Sequence, residues 1–130
     1  MIQLDTHVLL WRELEPERLS HDARAAIESA VFGDEAIAIS VVTFWEIALL
    51  AQRQRILLKV PIQQFLQEVT ENYEIFNINA PIAIQAADFN DPFPRDPMDR
   101  LIAATAFYKN STLITADRSI LASKVCKTLW

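Results

Sequence analysis

Short runs of β-branched and other apolar residues alternate along the chain with stretches of helical periodicity, and this alternation constrains the fold most strongly. The run at 36–42 reads Ala-Ile-Ala-Ile-Ser-Val-Val and predicts a buried strand. The segment at 97–109 follows a proline-rich loop at 90–97 and predicts the clearest helix. Strands that alternate with helices favour a parallel sheet covered by helices on both faces. The pattern therefore predicts an α/β fold with right-handed crossovers.

The rest of the chain continues this alternation and predicts a sheet of four to five strands. Further strands are predicted at 2–4, 74–78 and 112–115, with an edge strand at 125–130. Further helices are predicted at 6–13, from a Ser20 cap to Gly33, from Thr43 to 51, at 63–72, at 81–87 and after Asp117. On the inner side of the helix at 97–109 we expect Leu101, Ile102, Ala104, Thr105 and Tyr108. No linker or repeat interrupts the pattern, so we expect one domain over residues 1–130.

Composition excludes several kinds of functional site. The chain has one glycine, which excludes glycine-rich phosphate loops, and one cysteine, which excludes an internal disulfide or a cysteine zinc site. Two histidines leave little for a histidine-rich site. The net charge of −5 is unlike that of a generic nucleic-acid binder. The start of the chain lacks the pattern of a signal peptide and no run could span a bilayer, so we expect a cytoplasmic protein without membrane contact.

Acidic side chains recur where strands of the predicted sheet end or where the next helix begins. They are Asp5, Glu46, Asp99 and Asp117. Ligands of an open α/β sheet bind outside the carboxyl ends of its strands, so the fold can gather residues that lie far apart in sequence. Massed carboxylates repel one another unless a cation neutralises them, and oxygen ligands suit Mg²⁺ or Mn²⁺. These four acids are therefore candidate metal ligands.

Helix capping offers an alternative role for each of these acids. Asp5, Asp96 and Asp117 stand where an N-cap is expected, and Thr43 with Glu46 fits a capping box. Asp99 stands near the positive end of the dipole of its helix. A single acid at a helix start is weak support for a metal site, whereas several acids at one edge of a sheet are stronger support. Both interpretations remain open at this level.

Four sequence blocks resemble the PIN-domain nucleases, most closely the VapC-type toxins of bacterial toxin–antitoxin pairs. They read Leu-Asp-Thr-His-Val-Leu-Leu-Trp at 4–11, Ser-Val-Val-Thr-Phe-Trp-Glu-Ile at 40–47, Arg-Asp-Pro-Met-Asp-Arg-Leu-Ile-Ala-Ala-Thr-Ala at 95–106 and Leu-Ile-Thr-Ala-Asp at 113–117. The resemblance covers essentially the whole chain. It implies a three-layer α/β/α fold and metal-dependent cleavage of RNA by a water activated by Mg²⁺ or Mn²⁺.

The resemblance also assigns roles to individual residues. It implies that the catalytic, metal-binding acids are Asp5, Glu46, Asp99 and Asp117. It places three further residues beside the metal or behind its ligands: Asp96, Thr6 and Thr115. Arg100 is expected to be a structural ion-pair partner rather than a catalyst. Pro94 stands where many relatives carry a histidine.

Partners are implied by the same resemblance. An antitoxin is expected to wrap the protein with an apolar helix and to place a basic side chain in the acidic pocket. Phe44, Trp45 and residues 49–58 are a candidate docking surface. Leu57 and Leu58 are its expected exposed members, whereas Phe44 also suits the core. A homodimer is also expected. RNA contact is assigned to a patch of Arg12, Arg53, Arg55 and Lys59, although the last three also suit a solvated helix end.

Other function classes fit parts of the pattern. A catalytically silent PIN-like RNA-binding module would keep the fold and use the acids only as caps. A related Mg²⁺-dependent DNA nuclease would use the same acids. A receiver-like phospho-acceptor domain fits less well, because it needs paired acids after the first strand and a lysine after the last one. Metal titration separates the silent module from the nucleases.

Overall fold

A five-stranded parallel sheet forms the centre of the protein in a computed structural model that describes residues 1–130. The strands are β1 (Ile2–Leu4), β2 (Ile37–Ser40), β3 (Glu74–Phe76), β4 (Thr112–Ile114) and β5 (Thr128–Leu129). Their order across the sheet is β3-β2-β1-β4-β5, and every neighbouring pair is parallel. The predicted α/β fold is confirmed, and the fifth, edge strand is present.

Seven α-helices cover the sheet. They are α1 (Thr6–Leu14), α2 (His21–Phe32), α3 (Val42–Gln52), α4 (Ile62–Asn72), α5 (Ala80–Asp88), α6 (Pro97–Tyr108) and α7 (Arg118–Ser123), with a short 3₁₀ turn at Pro16–Arg18. One hydrophobic core lies between the sheet and the first four helices, α1, α2, α3 and α4. A second core lies between the sheet and the last three helices, α5, α6 and α7. Alternate residues of β4 enter different cores, Ile114 the first and Leu113 the second. This is the three-layer α/β/α arrangement. No helix combines the length and apolar character that crossing a membrane requires.

A buried glutamine in the middle of β1 links the sheet to α6. Gln3 is fully buried, and its Nε2 donates a 3.0 Å hydrogen bond to the carbonyl oxygen of Ile102. Its side-chain Oε1 has no hydrogen-bond partner. The strand that carries Gln3 ends directly before Asp5, and the helix that carries Ile102 begins directly after Asp96.

Element ends differ from the sequence predictions by one to three residues. The hydroxyl of Ser40 accepts a hydrogen bond from the amide of Val42 at 3.3 Å, and α3 begins at Val42 instead of Thr43. Gly33 follows α2 as predicted, but its φ is −83°, and Asp34 takes the left-handed conformation with φ of 54°. The glycine is therefore not required there by backbone geometry.

The buried side of α6 is broader than predicted. Tyr108 is 49% exposed, so its assignment to the inner side is wrong, whereas Ala103 and Ala106 are fully buried. The cause is that α6 packs against the sheet and against both α3 and α5, which encloses the helix on more than one side. Small alanine side chains allow this close approach.

Arg100 has a structural role without an ion pair, which corrects the expected ion-pair partnership. Its guanidinium donates hydrogen bonds to three backbone carbonyls, those of Pro94 at 3.0 Å, Ala86 at 3.0 Å and Phe89 at 2.8 Å. It also lies 5.7 Å from the ring centroid of Phe93. Arg100 therefore ties the loop before α6 to the end of α5.

Candidate active site

The strand order places two acids side by side at one end of the sheet. The chain passes from β1 outward to β2 and β3, then returns to β4 on the other side of β1. The carboxyl ends of β1 and β4 are therefore a topological switch point, where α/β sheets bind ligands. Asp5 directly follows β1, and Asp117 lies three residues beyond β4.

Asp5 is held firmly at this point. Its carboxylate is buried, with 4% of the residue exposed. Oδ1 accepts a 2.7 Å hydrogen bond from the amide of Thr6, and Oδ2 accepts a 2.7 Å hydrogen bond from the hydroxyl of Thr115. Burial raises the pKa of Asp5, while the hydrogen bond from Thr115 and the nearby His7 lower it. Asp5 therefore caps α1 through Oδ1, and through Oδ2 it binds the residue that directly follows β4.

Glu46 approaches Asp5 through a pair of threonines. The hydroxyl of Thr6 donates a 2.6 Å hydrogen bond to Oε1 of Glu46 and lies 3.0 Å from the hydroxyl of Thr43. Burial raises the pKa of Glu46, the bond from Thr6 lowers it, and Asp5 raises it. The capping box of Thr43 with Glu46 is wrong, because neither side chain caps α3 and the carboxylate turns towards α1 instead.

Asp99 lies in the first turn of α6, half-buried among the other acids. Burial, as the largest cause, and then the charges of four neighbouring acids together raise its pKa from the ordinary 3.8 to about 7; in order of effect these acids are Asp5, Asp96, Asp117 and Glu46. All four acids are thus within electrostatic reach of Asp99.

Asp96 and Asp117 act as helix caps. Oδ1 of Asp96 accepts from the amides of Met98 and Asp99 at 2.8 and 3.2 Å. Oδ1 of Asp117 caps α7, and its own amide donates to the hydroxyl of Thr115 at 3.1 Å. The capping interpretation is therefore correct for both, and it occupies only one carboxylate oxygen of each.

The chemistry of this donor set suits a hard divalent cation. It consists of carboxylates whose charges, in addition to burial, raise the pKa of Asp99, and bound positive charge would relieve their repulsion. No three acidic, histidine or cysteine side chains stand close enough together to hold one ion directly. Water molecules would therefore complete the contact, as they commonly do around Mg²⁺.

The sequence model of the PIN domain family matches residues 2–125. The chain belongs to the PIN-domain family. It is 38% identical over 131 residues to Ribonuclease VapC22 of Mycobacterium tuberculosis, covering 99% of this chain and 98% of that protein. The sequence resemblance to VapC-type members of the family is thereby confirmed.

Solved structures share the PIN-domain fold. One is VapBC2 from Rickettsia felis bound to a promoter DNA fragment, with a TM-score of 0.73, 19% identity and coverage of 99% of this chain and 98% of that chain. Another is a toxin–antitoxin complex from Klebsiella pneumoniae, with a TM-score of 0.71, 20% identity and coverage of 100% and 97%. At these identities the likeness concerns the fold.

Two residues of this PIN-domain site are missing from the sequence predictions. Thr43 is fully buried and meets the hydroxyl of Thr6, although the sequence suggested only a cap. His7 is exposed and close enough to influence both Asp5 and Glu46. The available signal for His7 was its position two residues after Asp5. Thr6 and Thr115 both contact the acids, and their part in metal binding stays a prediction.

Proposed function

We propose that the protein is a metal-dependent endoribonuclease toxin, a single nuclease domain over residues 1–130. The observation that carries the proposal is the group of acids at the switch point, where hydrogen bonds from Thr115 and Thr6 hold Asp5 and Glu46, and burial together with four neighbouring acids raises the pKa of Asp99. The similarity to a curated ribonuclease over nearly the full length supports RNA as the substrate.

Asp5, Glu46, Asp99 and Asp117 would hold Mg²⁺ or Mn²⁺, with some contacts through water. When bound, such a cation lowers the pKa of a coordinated water and offsets charge on the phosphoryl oxygens. Three residues would position these ligands: Thr6 and Thr115 through their hydrogen bonds to Glu46 and Asp5, and Asp96 through its charge and its cap on α6.

Glu46 is the better candidate to accept the proton of the attacking water. Both oxygens of Asp5 already accept hydrogen bonds, whereas Glu46 accepts its bond from Thr6 on Oε1 and keeps Oε2 for water. Burial raises the pKa of Glu46, which moves it closer to the pH at which a base works well. Attack by water on phosphorus, with the 3′-oxygen as the leaving group, gives 5′-phosphate and 3′-hydroxyl ends, and a 2′,3′-cyclic phosphate product would contradict this scheme.

The decisive experiment is cleavage of total cellular RNA by the purified protein in EDTA, Mg²⁺ or Mn²⁺. The Asp5→Asn variant tests the site. The matched control is Glu28→Gln, which changes an exposed acid on α2. We expect metal-dependent cuts that Glu28→Gln retains and Asp5→Asn loses by on the order of 100-fold or more. Intact RNA under every condition would favour the silent binding module, and equal cutting of DNA of the same sequence would favour a DNA nuclease.

A cognate antitoxin is the second part of the proposal. Structural neighbours of this fold include toxin–antitoxin complexes, and apolar side chains are available on the expected docking surface. Trp45 is 61% exposed and Leu57 is 90% exposed, whereas Phe44 and Leu58 pack against the first core. The expected exposure of Leu58 is therefore wrong.

The neighbouring gene provides the test of this partnership. Co-expression should rescue growth, and a Trp45→Ser/Leu57→Ser variant should lose co-purification of the partner. Failure of the wild-type protein to co-purify with it would contradict the pairing. We also propose that the toxin acts as a homodimer in the cytoplasm. Light scattering of the purified protein tests the homodimer, and a monomer would contradict it.

A further inference from the structure

A groove beside the acidic site combines an apolar floor with a cationic rim. Its volume is about 470 Å³, and it lies between α1 and the segment after α3. His7 and Trp11 line it from α1, Arg18 from the 3₁₀ turn, and Arg55 and Lys59 from the segment after α3. Of the patch predicted from the sequence, Arg55 and Lys59 line the groove. Arg53 does not line it, and Arg12 instead donates a hydrogen bond to the hydroxyl of Tyr73.

We propose that this groove binds the single-stranded nucleotides that flank the cleaved bond. Arg18 would provide a flat surface for one base, and Arg55 and Lys59 would bind the adjoining phosphates. The inference rests on the proposed function and names the path of its substrate.

The groove adjoins the acidic site at His7, which lines the groove and lies near enough to Asp5 and Glu46 to lower the pKa of both. His7 lies two residues after Asp5, exposed at the start of α1, and its ring centroid is 6.1 Å from that of Trp11 in an edge-on arrangement. On the facing helix, Leu50 lines the groove one turn beyond Glu46. A strand of RNA with its phosphodiester at the acids can therefore continue directly into the groove.

Arg18 has the geometry of a stacking surface. Its guanidinium lies 4.5 Å from the ring centroid of Trp11, and Trp11 in turn packs on Trp130 at 5.5 Å. The guanidinium also forms a 3.0 Å ion pair with Glu15. More than half of the Arg18 side chain is exposed, which leaves the plane open to a base. Unpaired RNA bases stack on guanidinium planes and aromatic rings in this way.

The charge of the groove favours an anionic ligand. Arg18, Arg55 and Lys59 face a single acid, Glu15, which Arg18 already pairs. The whole chain carries −5, so this groove reverses the overall sign next to the acidic site. A phosphate backbone would be attracted here and repelled by much of the remaining surface.

Binding of RNA in EDTA tests the groove separately from catalysis. The probe is a labelled single-stranded RNA of about 10 nucleotides, a length within the usual site size for such strands. Anisotropy is measured over a range of KCl for the wild type, Arg55→Gln/Lys59→Gln and Arg18→Lys. The matched control is Arg53→Gln/Lys124→Gln, which removes the same charge at two exposed positions outside the groove.

We expect the groove double variant to bind about tenfold or more weakly. The slope of log Kd against log salt should become shallower by about 1.4, because each contact with single-stranded phosphate contributes about 0.7. Arg18→Lys should weaken binding while leaving the slope unchanged, because it keeps the charge and loses the plane. The control double variant should bind as the wild type does.

Three results would overturn the inference. They are absence of RNA binding by the wild type, equal loss in both double variants, and unchanged RNA affinity in the groove variants. If those variants lose the antitoxin and keep RNA, the groove belongs to the protein partner instead. Cleavage in Mn²⁺, run in parallel, reports on the proposed function alone: RNA that binds in the groove and remains uncut contradicts the nuclease but not the groove.

Discussion

The hydroxyl of Thr115 donates a 2.7 Å hydrogen bond to Oδ2 of Asp5, although the two residues lie 110 positions apart in the chain. They stand at the ends of neighbouring strands, and the same hydroxyl accepts a bond from the amide of Asp117. One small side chain therefore fixes the orientation of a buried carboxylate and the start of the last helix.

Removal of the Thr115 hydroxyl should destabilise the protein. In Thr115→Val, Oδ2 of Asp5 loses its partner in a buried setting, which typically lowers the free energy of unfolding by about 1–3 kcal/mol. Thr115→Ser keeps a donor and should recover most of that loss. Urea unfolding measures both variants, and equal stability of Val and Ser variants would show that the bond contributes little.

The metal-free protein should lose stability as the pH rises from about 4 to about 7. The folded pKa of Asp99 is about 7, above the ordinary 3.8, so in this window the folded state keeps a proton that the unfolded state releases. The stabilisation that this proton provides is complete below the ordinary pKa of 3.8 and is lost as the pH rises through the folded pKa of about 7. Asp99→Asn should reduce the dependence without abolishing it, because burial also raises the pKa of Asp5 and Glu46.

Urea unfolding in EDTA at about pH 5 and about pH 8 provides the measurement. Glu28→Gln is the control, since it removes an exposed acid on α2. A wild-type protein with the same stability at both pH values would contradict the raised pKa of Asp99 among the neighbouring acids.

Divalent metal should raise the melting temperature, and EDTA should reverse the rise. At about 100 times the dissociation constant, a ligand that binds only the folded state adds about 2.7 kcal/mol of stability. Asp99→Asn should lose this gain, because it removes a ligand without removing the fold. A wild-type melting curve that does not respond to Mg²⁺ or Mn²⁺ would point to the silent module.

Arg100→Lys should loosen the loop before α6. Lysine keeps the charge, but its single ammonium cannot reach the three carbonyls that the guanidinium binds. We expect the free energy of unfolding to fall by about 3 kcal/mol and proteolysis within residues 89–96 to become faster. Arg95→Lys, at an exposed position in the same loop, should leave both unchanged, and similar behaviour of the two variants would argue against the anchoring role.

Much of the fold was predictable because its signals are local. Buried strands such as Ile37–Ser40 are continuous apolar runs, and the capping residues Ser20, Asp96 and Asp117 all bind the amides expected of them. Tyr108 was assigned wrongly because helical periodicity describes one buried face, and tertiary packing encloses α6 on more than one side.

The candidate site was predictable only in part. The acids are recognisable as candidates because they stand at strand ends or near helix starts, but their partners depend on contacts between distant segments. Glu46 illustrates the difference, since the local capping box was outcompeted by Thr6, 40 residues away. Arg100 binds carbonyl groups, and no sequence pattern marks these as its acceptors.

The bond between Gln3 and Ile102 has a mechanical consequence for the acids. Gln3 lies two residues before Asp5, and Ile102 lies three residues after Asp99. The bond therefore links β1, which leads into Asp5, to α6, which carries Asp99. If α6 slid along the sheet, the Gln3 amide would lose its remaining bond in the dry interior. The separation of these two acids, which the proposed ion would bridge, is therefore fixed by the packing of the fold itself.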